Sequence, residues 1–353
     1  MAIAIYLLLA SLVVGQVFRL PLPGQGGGLL LSDLAVVLVL FVAYWQVLKA
    51  RPLRRQLPRA YHQLLATTPF IVWSLFTLAI NSGHLANHQI LIATSYWIRL
   101  STHLLLLPAL LVIFQSSSSV KPYIRAFVIT AIALVALGFL QLILLPNLAD
   151  LEGLARRSLG AGGWDPHQYR LTSTWLDPNF FGAYLALIIP PVFILTRPPA
   201  RLVLTALLTL ALILTQSRSA LLALFLALLA TSPLLALSAR RRPSHHAISI
   251  ALLIALMLAL AGLFLSDRLI GLVTVDATVS LRLDSLTQVW PLAQDNTLIG
   301  VGYNAYQYAA LDRGLISNFS IHSRAGADNS LLTVWVTTGL IGLVLFLIPW
   351  LSP

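Results

Sequence analysis

The chain has 353 residues, of which 58% are apolar and only 9% are charged. In soluble globular domains about a quarter of all residues are charged, so this composition excludes an ordinary water-soluble protein. The formal charge of +11 comes from basic residues in short loops between apolar stretches, so we expect no nucleic-acid binding. The first stretch, Met1 to Val17, lacks the basic start and the cleavage pattern of a signal peptide, and we expect it to be a retained helix.

Apolar stretches recur along the whole chain, and each is long enough to cross about 30 Å of hydrocarbon. Ten of them run approximately over residues 2–18, 29–48, 64–80, 90–114, 124–146, 178–196, 201–216, 219–238, 247–265 and 330–350. The stretches 201–216 and 219–238 are so close together that we predict a tight helical hairpin with its tip at one membrane surface. The sequence therefore predicts an all-α integral membrane protein of about ten transmembrane helices.

The loops between these stretches alternate in charge. Four of them contain basic and no acidic residues, at 49–63, 116–125, 197–201 and 239–246. Because short basic loops stay in the cytoplasm, we place these loops and both chain termini there. The other loops are then outside, at 19–28, 81–89, 147–177, the hairpin tip and 266–329.

Four parts follow from this topology. They are an N-terminal transmembrane hairpin with its basic cytoplasmic loop (1–63), a central transmembrane bundle (64–265), an extracytoplasmic loop subdomain (266–329) and the last transmembrane helix (330–353). We expect the large outer loop to be partly helical, because apolar residues recur at helical spacing from Ser280 to Leu292. The chain stops directly after an apolar stretch, so we allow for one or two further helices beyond Pro353.

Arg99 lies within the stretch 90–114, about nine residues and hence roughly 13 Å from its outer end at 1.5 Å per residue. Ionisable residues at membrane depth are costly, and they pair with one another or line a functional cavity. One interpretation is an ion pair with a carboxylate that fixes helix packing. The other is an anion-binding arginine that faces an internal cavity.

The motif RLTSTWLDPNFFG spans residues 170–182. We predict that Asp177 caps the following helix and that proline occupies its first turn. Capping leaves Arg170, Trp175 and Asn179 unexplained, so these three are candidate site residues. Arg218, at the tip of the predicted hairpin, either extends to the membrane–water interface or belongs to the same site.

Two later motifs combine polar and aromatic residues. GVGYNAYQY, at 300–308, is a glycine-bearing turn whose Tyr303 either stacks on a sugar ring or packs the loop. His322, Asp328 and Asn329 precede the last apolar stretch, where Asp328 and Asn329 are candidate helix caps. Asp328 is also a candidate general base, and His322 is a second one because histidine titrates near neutral pH. With no P-loop, HExxH, GxSxG or metal-spaced carboxylates in the sequence, we predict neither metal nor cofactor.

Over roughly residues 64–350, the chain resembles the superfamily of O-antigen ligases and O-antigen polymerases. The resemblance rests on Arg99 and, in this order, RLTSTWLDPNFFG, SRSALLALFLALL, RLDSLTQVWPLAQDNTLIGVGYNAY and HSRAGADNSLLTVWVTTGLIG. It implies a multi-pass inner-membrane glycosyltransferase that takes a glycan from undecaprenyl diphosphate at the periplasmic face, without metal or nucleotide sugar. The implied partners are this lipid-linked glycan, a glycan or lipid acceptor, and membrane lipids.

The resemblance also implies roles for the candidate residues. The implied diphosphate-binding residues are Arg99, Arg218, Arg282 and Arg170. The implied glycan- or acceptor-binding residues are Trp175, Asn179, Tyr303 and Asn329. The implied catalytic residues are Asp328 and His322. Ligases of this superfamily have a catalytic histidine followed by asparagine at the start of the late helix. Asp328 and Asn329 stand at that position here, which fits the more variable polymerases better than the ligases.

Two other functions stay open. A transporter of small anions such as bicarbonate would use the basic intramembrane site, but such proteins often show inverted repeats and broken helices, and neither is evident from the sequence. A non-catalytic membrane component of polysaccharide assembly is the second alternative.

Overall fold

The computed structural model describes residues 2–21, 28–49, 58–116, 119–146, 169–195, 198–238, 277–316, 327 and 329–351. Its α-helices are α1 (Ala2–Val14), α2 (Leu31–Lys49), α3 (Pro58–Asn81), α4 (Asn87–Ser116), α5 (Lys121–Leu144), α6 (Pro178–Leu195), α7 (Pro198–Leu214), α8 (Arg218–Ser238), α9 (Ala277–Asp295), α10 (Tyr306–Asp312) and α11 (Ser330–Leu351). Short 3-10 turns occupy Ser82–His84 and Ser173–Trp175. The predicted helical character is confirmed, apart from a small antiparallel hairpin of β1 (Arg19–Pro21) and β2 (Gly28–Leu30).

Five helices, α2, α3, α4, α5 and α11, are long and apolar enough to cross a membrane. Shorter apolar helices occupy Ala2–Val14, Pro178–Phe193, Ala200–Leu214 and Arg218–Leu228. The chain is therefore a mainly helical, multi-pass membrane protein. The predicted stretch 247–265 lies outside the described residues, and the total of ten spans stays a prediction.

Two hydrophobic cores hold most of the bundle together. In the first, Ile5 of α1 and Val36 of α2 pack with Ile113 of α4. In the second, Leu134 of α5 and Ile189 of α6 belong to one cluster with buried side chains of α7 and α8. Helix α6 packs along both α7 and α8. The predicted short connection is confirmed, because only residues 215–217 separate α7 from α8, but the two helices pack on α6 and hardly on each other.

Helices α9, α10 and α11 form a third core next to α3. Val289 and Leu292 of α9, Tyr306 of α10 and Val336 of α11 are buried in it. The predicted helix from Ser280 to Leu292 is confirmed, since it lies within α9. Helix α11 also packs along α3, which joins this core to the rest of the bundle.

Helix α11 is broken at Gly339, whose backbone angles are φ 71° and ψ −179°. The residues 296–302, which we name the 296–302 turn, fill the break. Leu340 donates its N–H to the Thr297 carbonyl oxygen at 2.8 Å, and a Cβ on Gly339 would overlap the Leu298 carbonyl. Helix α11 is thus a broken helix that is not evident from the sequence. Hydropathy could not show the break, because a contact with a turn far away in sequence produces it.

The helix carbonyl groups before the break are satisfied by protein donors. Those of Val336 and Thr337 accept from the backbone N–H groups of Val301 and Gly302 at 2.9 and 3.0 Å. The Thr338 carbonyl accepts from the Trp73 indole at 2.8 Å. Unsatisfied carbonyls are costly away from water, so these bonds make the broken helix tolerable inside a membrane.

Candidate functional site

Most of the described site candidates lie at one end of the bundle. The carboxyl end of α1 contacts the 3-10 turn before α6, where the Trp175 indole donates to the Leu12 carbonyl at 3.1 Å and Gln16 N–H donates to the Thr174 carbonyl at 2.9 Å. The β-hairpin continues from this point to the start of α2. Residues 15–21 thus adjoin the surroundings of Arg170, and the paired strand Gly28–Leu30 adjoins Arg99.

Arg99 on α4 forms an ion pair with Asp33 on α2. Its Nε donates to Asp33 Oδ1 at 2.9 Å, and one terminal nitrogen donates to both Oδ2 of the same carboxylate and the Gly28 carbonyl. The guanidinium also lies over the Tyr96 ring, 5.4 Å from its centroid. This geometry corresponds to the ion-pair interpretation of Arg99, and the pair joins α2, α4 and the β-hairpin.

The ion pair places Arg99 beside the first turn of α2, whose 19 residues extend about 28 Å at 1.5 Å per residue, close to the hydrocarbon thickness. The depth of about 13 Å expected for Arg99 stays a prediction.

A small cavity of about 100 Å³ borders the ion pair, and Asp33, Tyr96 and Arg99 are among its lining residues. Tyr303 lies near enough to interact electrostatically with both Tyr96 and Arg99. Burial raises the pKa of the Tyr303 phenol, which therefore stays protonated and able to donate at neutral pH. Two predicted site residues that are far apart in sequence, Arg99 and Tyr303, are thus close enough in space to interact electrostatically.

Arg170 is buried beside the tip of the α7–α8 hairpin. Its Nε donates to the Thr215 carbonyl at 2.8 Å, and a terminal nitrogen donates to Asn179 Oδ1 at 3.2 Å. Backbone pairing of Leu171 N–H with the Leu214 carbonyl at 3.0 Å fixes the same two segments. Arg170 therefore attaches the start of α6 to the hairpin tip.

Arg218 is the first residue of α8 and follows that tip directly. Gly182 of α6 packs against the tip so closely that a Cβ there would meet Thr215 and Ser217 side-chain atoms at 2.9 Å. Arg170, Asn179 and Arg218 consequently belong to one local structure. Their common location was not evident from their spacing in the sequence.

Two helix caps explain part of the polar motifs. Asp177 Oδ1 accepts from the N–H groups of Asn179 and Phe180 at 2.7 and 3.0 Å, which confirms the predicted cap of α6. Asn329 Oδ1 accepts from Leu331 and Leu332 N–H at 2.9 and 3.2 Å and so caps α11. Trp175, bonded to α1, likewise has a packing role. None of these contacts tests a role in glycan binding.

The remaining candidates are described in part or not at all. Arg282 belongs to α9, but its side chain is not among the described ones. His322 and Asp328 lie outside the described residues. The catalytic roles of His322 and Asp328 therefore stay predictions.

Sequence reasoning did not include Asp33 and Tyr96 among the site residues. Asp33 is an acidic residue in the first turn of an otherwise apolar helix, and an isolated carboxylate at such a place was the available signal. Tyr96 precedes Arg99 by three residues, a spacing that places both on one helix face.

Residues 203–347 match the family model described as O-antigen ligase. This segment runs from α7 to α11 and contains Arg218, the α9 helix and the break at Gly339, whereas Arg99 and Arg170 precede it. No curated protein and no solved structure matches the chain. The match agrees with the motifs and with the multi-pass helical fold, so residues 203–347 are similar to the O-antigen ligase family.

Proposed function

We propose that this protein is a membrane glycosyltransferase that transfers or polymerises a glycan carried on undecaprenyl diphosphate, at the periplasmic face of the inner membrane. The observation that carries the proposal is the family match of residues 203–347, combined with basic and polar side chains at one end of the bundle. An enzyme of this type needs a membrane-embedded body and a polar face at which a charged leaving group is stabilised.

The diphosphate is the leaving group of the proposed reaction, and its charge increases as the sugar–phosphate bond breaks. Arginine binds phosphate oxygens with two parallel hydrogen bonds, which makes it suited to this task. We assign diphosphate binding to Arg218 and Arg282, with Arg170 as a further contributor. Arg99 is a weaker contributor, because Asp33 already neutralises its charge and engages two of its nitrogens.

The acceptor hydroxyl must lose a proton when it attacks the sugar. We propose that Asp328 accepts this proton, with His322 as the second candidate base. Asn329 caps α11, so Asp328 immediately precedes the amino end of that helix. Tyr303 and Asn179 are proposed to bind the glycan or the acceptor.

The test is a deletion of the gene, analysis of the surface glycan by gel electrophoresis, and complementation with single variants. We expect the deletion to remove long glycan chains and Arg218→Ala, Arg282→Ala and Asp328→Ala to fail to restore them at wild-type expression. Arg313→Ala is the matched control, because Arg313 is exposed and paired with Asp295, and it should restore the wild-type pattern. An unchanged glycan in the deletion strain rules out the proposed function, and restoration by all three variants refutes only the residue assignments.

A small-anion transporter is the second candidate, and the break in α11 is the observation that favours it, since transporters bind ions at broken helices. Here, however, the carbonyls of Val336, Thr337 and Thr338 already accept from protein donors. Uptake of labelled bicarbonate into proteoliposomes distinguishes the two functions. We expect no uptake above that of empty liposomes.

A further inference from the structure

An apolar surface extends along one side of α9 and onto the 296–302 turn. We call Leu286, Trp290, Leu298 and Ile299 the α9 patch. Their exposed fractions lie between 37 and 61%, although α9 is not among the helices apolar enough to cross a membrane. Large apolar side chains exposed together mark a surface that contacts something other than water.

The rest of α9 shows that this exposure has a direction. Val289, Leu292 and Ala293 are buried in the core shared with α10 and α11. At 100° per residue, Leu286 lies about 40° around the helix from Trp290, whereas Asp295 lies about 140° away. Asp295 is exposed and pairs with Arg313 of the segment after α10. Helix α9 thus turns Leu286 and Trp290 away from the core, on a side that they share with the exposed Thr287 and Gln294.

The α9 patch continues onto the lipid-facing side of a spanning helix. The 296–302 turn contacts α11 at its break, where Leu340 and Ile341 are each 39% exposed. Gly339 follows Ser330 by nine residues, which corresponds to about 13 Å along the helix at 1.5 Å per residue. Leu298, whose carbonyl touches Gly339, therefore lies beside the part of α11 that runs through the bilayer.

Several backbone groups of the turn have hydrogen-bond partners within the protein, which a position without water requires. The Thr297 carbonyl accepts from both Leu340 N–H at 2.8 Å and the Trp335 indole at 3.3 Å. Gly300 N–H donates to the Asn296 carbonyl at 2.9 Å. These bonds satisfy part of the turn's backbone without water.

We propose that the α9 patch contacts lipid, with Leu298 and Ile299 in the hydrocarbon, so that residues 286–299 form a re-entrant element that enters the bilayer beside α11. Trp290 stacks edge-to-face on Trp335 at 5.6 Å and lies at the level of the lipid headgroups, where tryptophan is enriched. Leu298 and Ile299 reach below this level. Part of the large loop 266–329 is thereby a membrane-contacting surface and not an aqueous domain. The inference does not depend on the proposed glycosyl transfer.

The absence of cysteine from the sequence makes a direct test possible. Leu286→Cys, Leu298→Cys and Ile299→Cys variants are each labelled with a nitroxide and reconstituted in lipid nanodiscs. Collision rates are measured with oxygen, which concentrates in hydrocarbon, and with a water-soluble nickel chelate. Val344→Cys on the exposed side of α11 is the lipid control, and Asp312→Cys on the exposed end of α10 is the water control.

We expect the Leu298 and Ile299 labels to resemble the Val344 label, with oxygen collisions several-fold more frequent than nickel collisions. The Leu286 label, near headgroup level, should lie between the two controls. Labels that resemble the Asp312 label would overturn the proposal. Low collision rates with both reagents would also overturn it, because the patch would then be covered by protein, such as a second copy of the chain.

If the cysteine variants do not fold, the fluorescence of the native Trp290 side chain provides a second test. Brominated lipids quench tryptophan fluorescence at short range, and Trp290→Phe should remove part of the quenchable signal. An unchanged quenched fraction in Trp290→Phe contradicts lipid contact of the α9 patch.

Discussion

Individual polar residues in this protein mostly hold segments together. Asp33 binds Arg99, Arg170 binds the Thr215 carbonyl, and Asp177 caps α6. The Asp177 cap could be predicted because it depends only on neighbours in sequence. The Asp33 partner of Arg99 could not, since the two residues are 66 positions apart and nothing in their local sequences indicates the pairing.

Asp33→Asn removes the negative charge and keeps the shape of the side chain. We expect it to lower the free energy of unfolding by about 1.5 to 3 kcal/mol, the range for hydrogen bonds to charged groups. The Asp33 side chain is 10% exposed, whereas that of Asp295 in the other ion pair is 60% exposed. Asp295→Asn is therefore the matched control, expected to cost less than about 1 kcal/mol.

Thermal unfolding in detergent, followed by gel filtration with fluorescence detection, measures both variants. Equal melting temperatures for Asp33→Asn and Asp295→Asn would show that the Arg99 ion pair contributes no more than a surface pair.

Helices and turns differ in how well the sequence indicates them. The long apolar stretches and the α7–α8 hairpin could be predicted because hydropathy and a three-residue connection determine them. The β-hairpin and the break in α11 could not, since both depend on contacts with other segments. Gly339 appears in the sequence as an ordinary glycine of an apolar helix, and its partner, Leu298, is 41 positions earlier.

Gly339→Ala tests whether the break is essential. Its φ and ψ belong to a region used almost only by glycine, which costs on the order of 1–3 kcal/mol for other residues, and the new Cβ would overlap the Leu298 carbonyl. We expect loss of monodisperse protein or a large fall in melting temperature. Gly314→Ala is the control, because Gly314 also has a positive φ of 67° but nothing within 4 Å of the new Cβ.

The cost of Gly314→Ala should be about 1 kcal/mol, the strain of the backbone conformation alone. If Gly339→Ala is no worse than Gly314→Ala, the 296–302 turn does not pack into the break as tightly as described.

The molecule as a whole combines a hydrophobic bundle with polar contacts at one end. The ends of α1, α5 and α7 and the starts of α6 and α8 meet there through Trp175, Arg170 and their partners. Loop charge predicted that these ends share one side of the membrane, and the contacts among them agree. Which side faces the cytoplasm rests on the positive-inside rule alone.

Orientation is testable with single cysteines in the cysteine-free chain. A membrane-impermeant maleimide should label Asp312→Cys in intact spheroplasts, because α10 belongs to the predicted outer loop. Ser119→Cys, exposed between α4 and α5 in a predicted cytoplasmic loop, should react only after the membrane is permeabilised. The reverse pattern would mean that the topology is inverted, and that the proposed diphosphate site faces the cytoplasm.

The bond between Trp73 and the Thr338 carbonyl also constrains how the protein is made. It joins residues 265 positions apart. At roughly 5–20 residues per second, α3 enters the membrane on the order of 10 to 50 s before its partner leaves the ribosome. During that interval α4 is already available, and the Trp97 indole can bond the Ile71 carbonyl as it does in the finished protein. The late arrival of α11 relative to α3 therefore leaves the docking surface of α3 exposed for that interval to competition from lipid and from the cell's quality-control proteases.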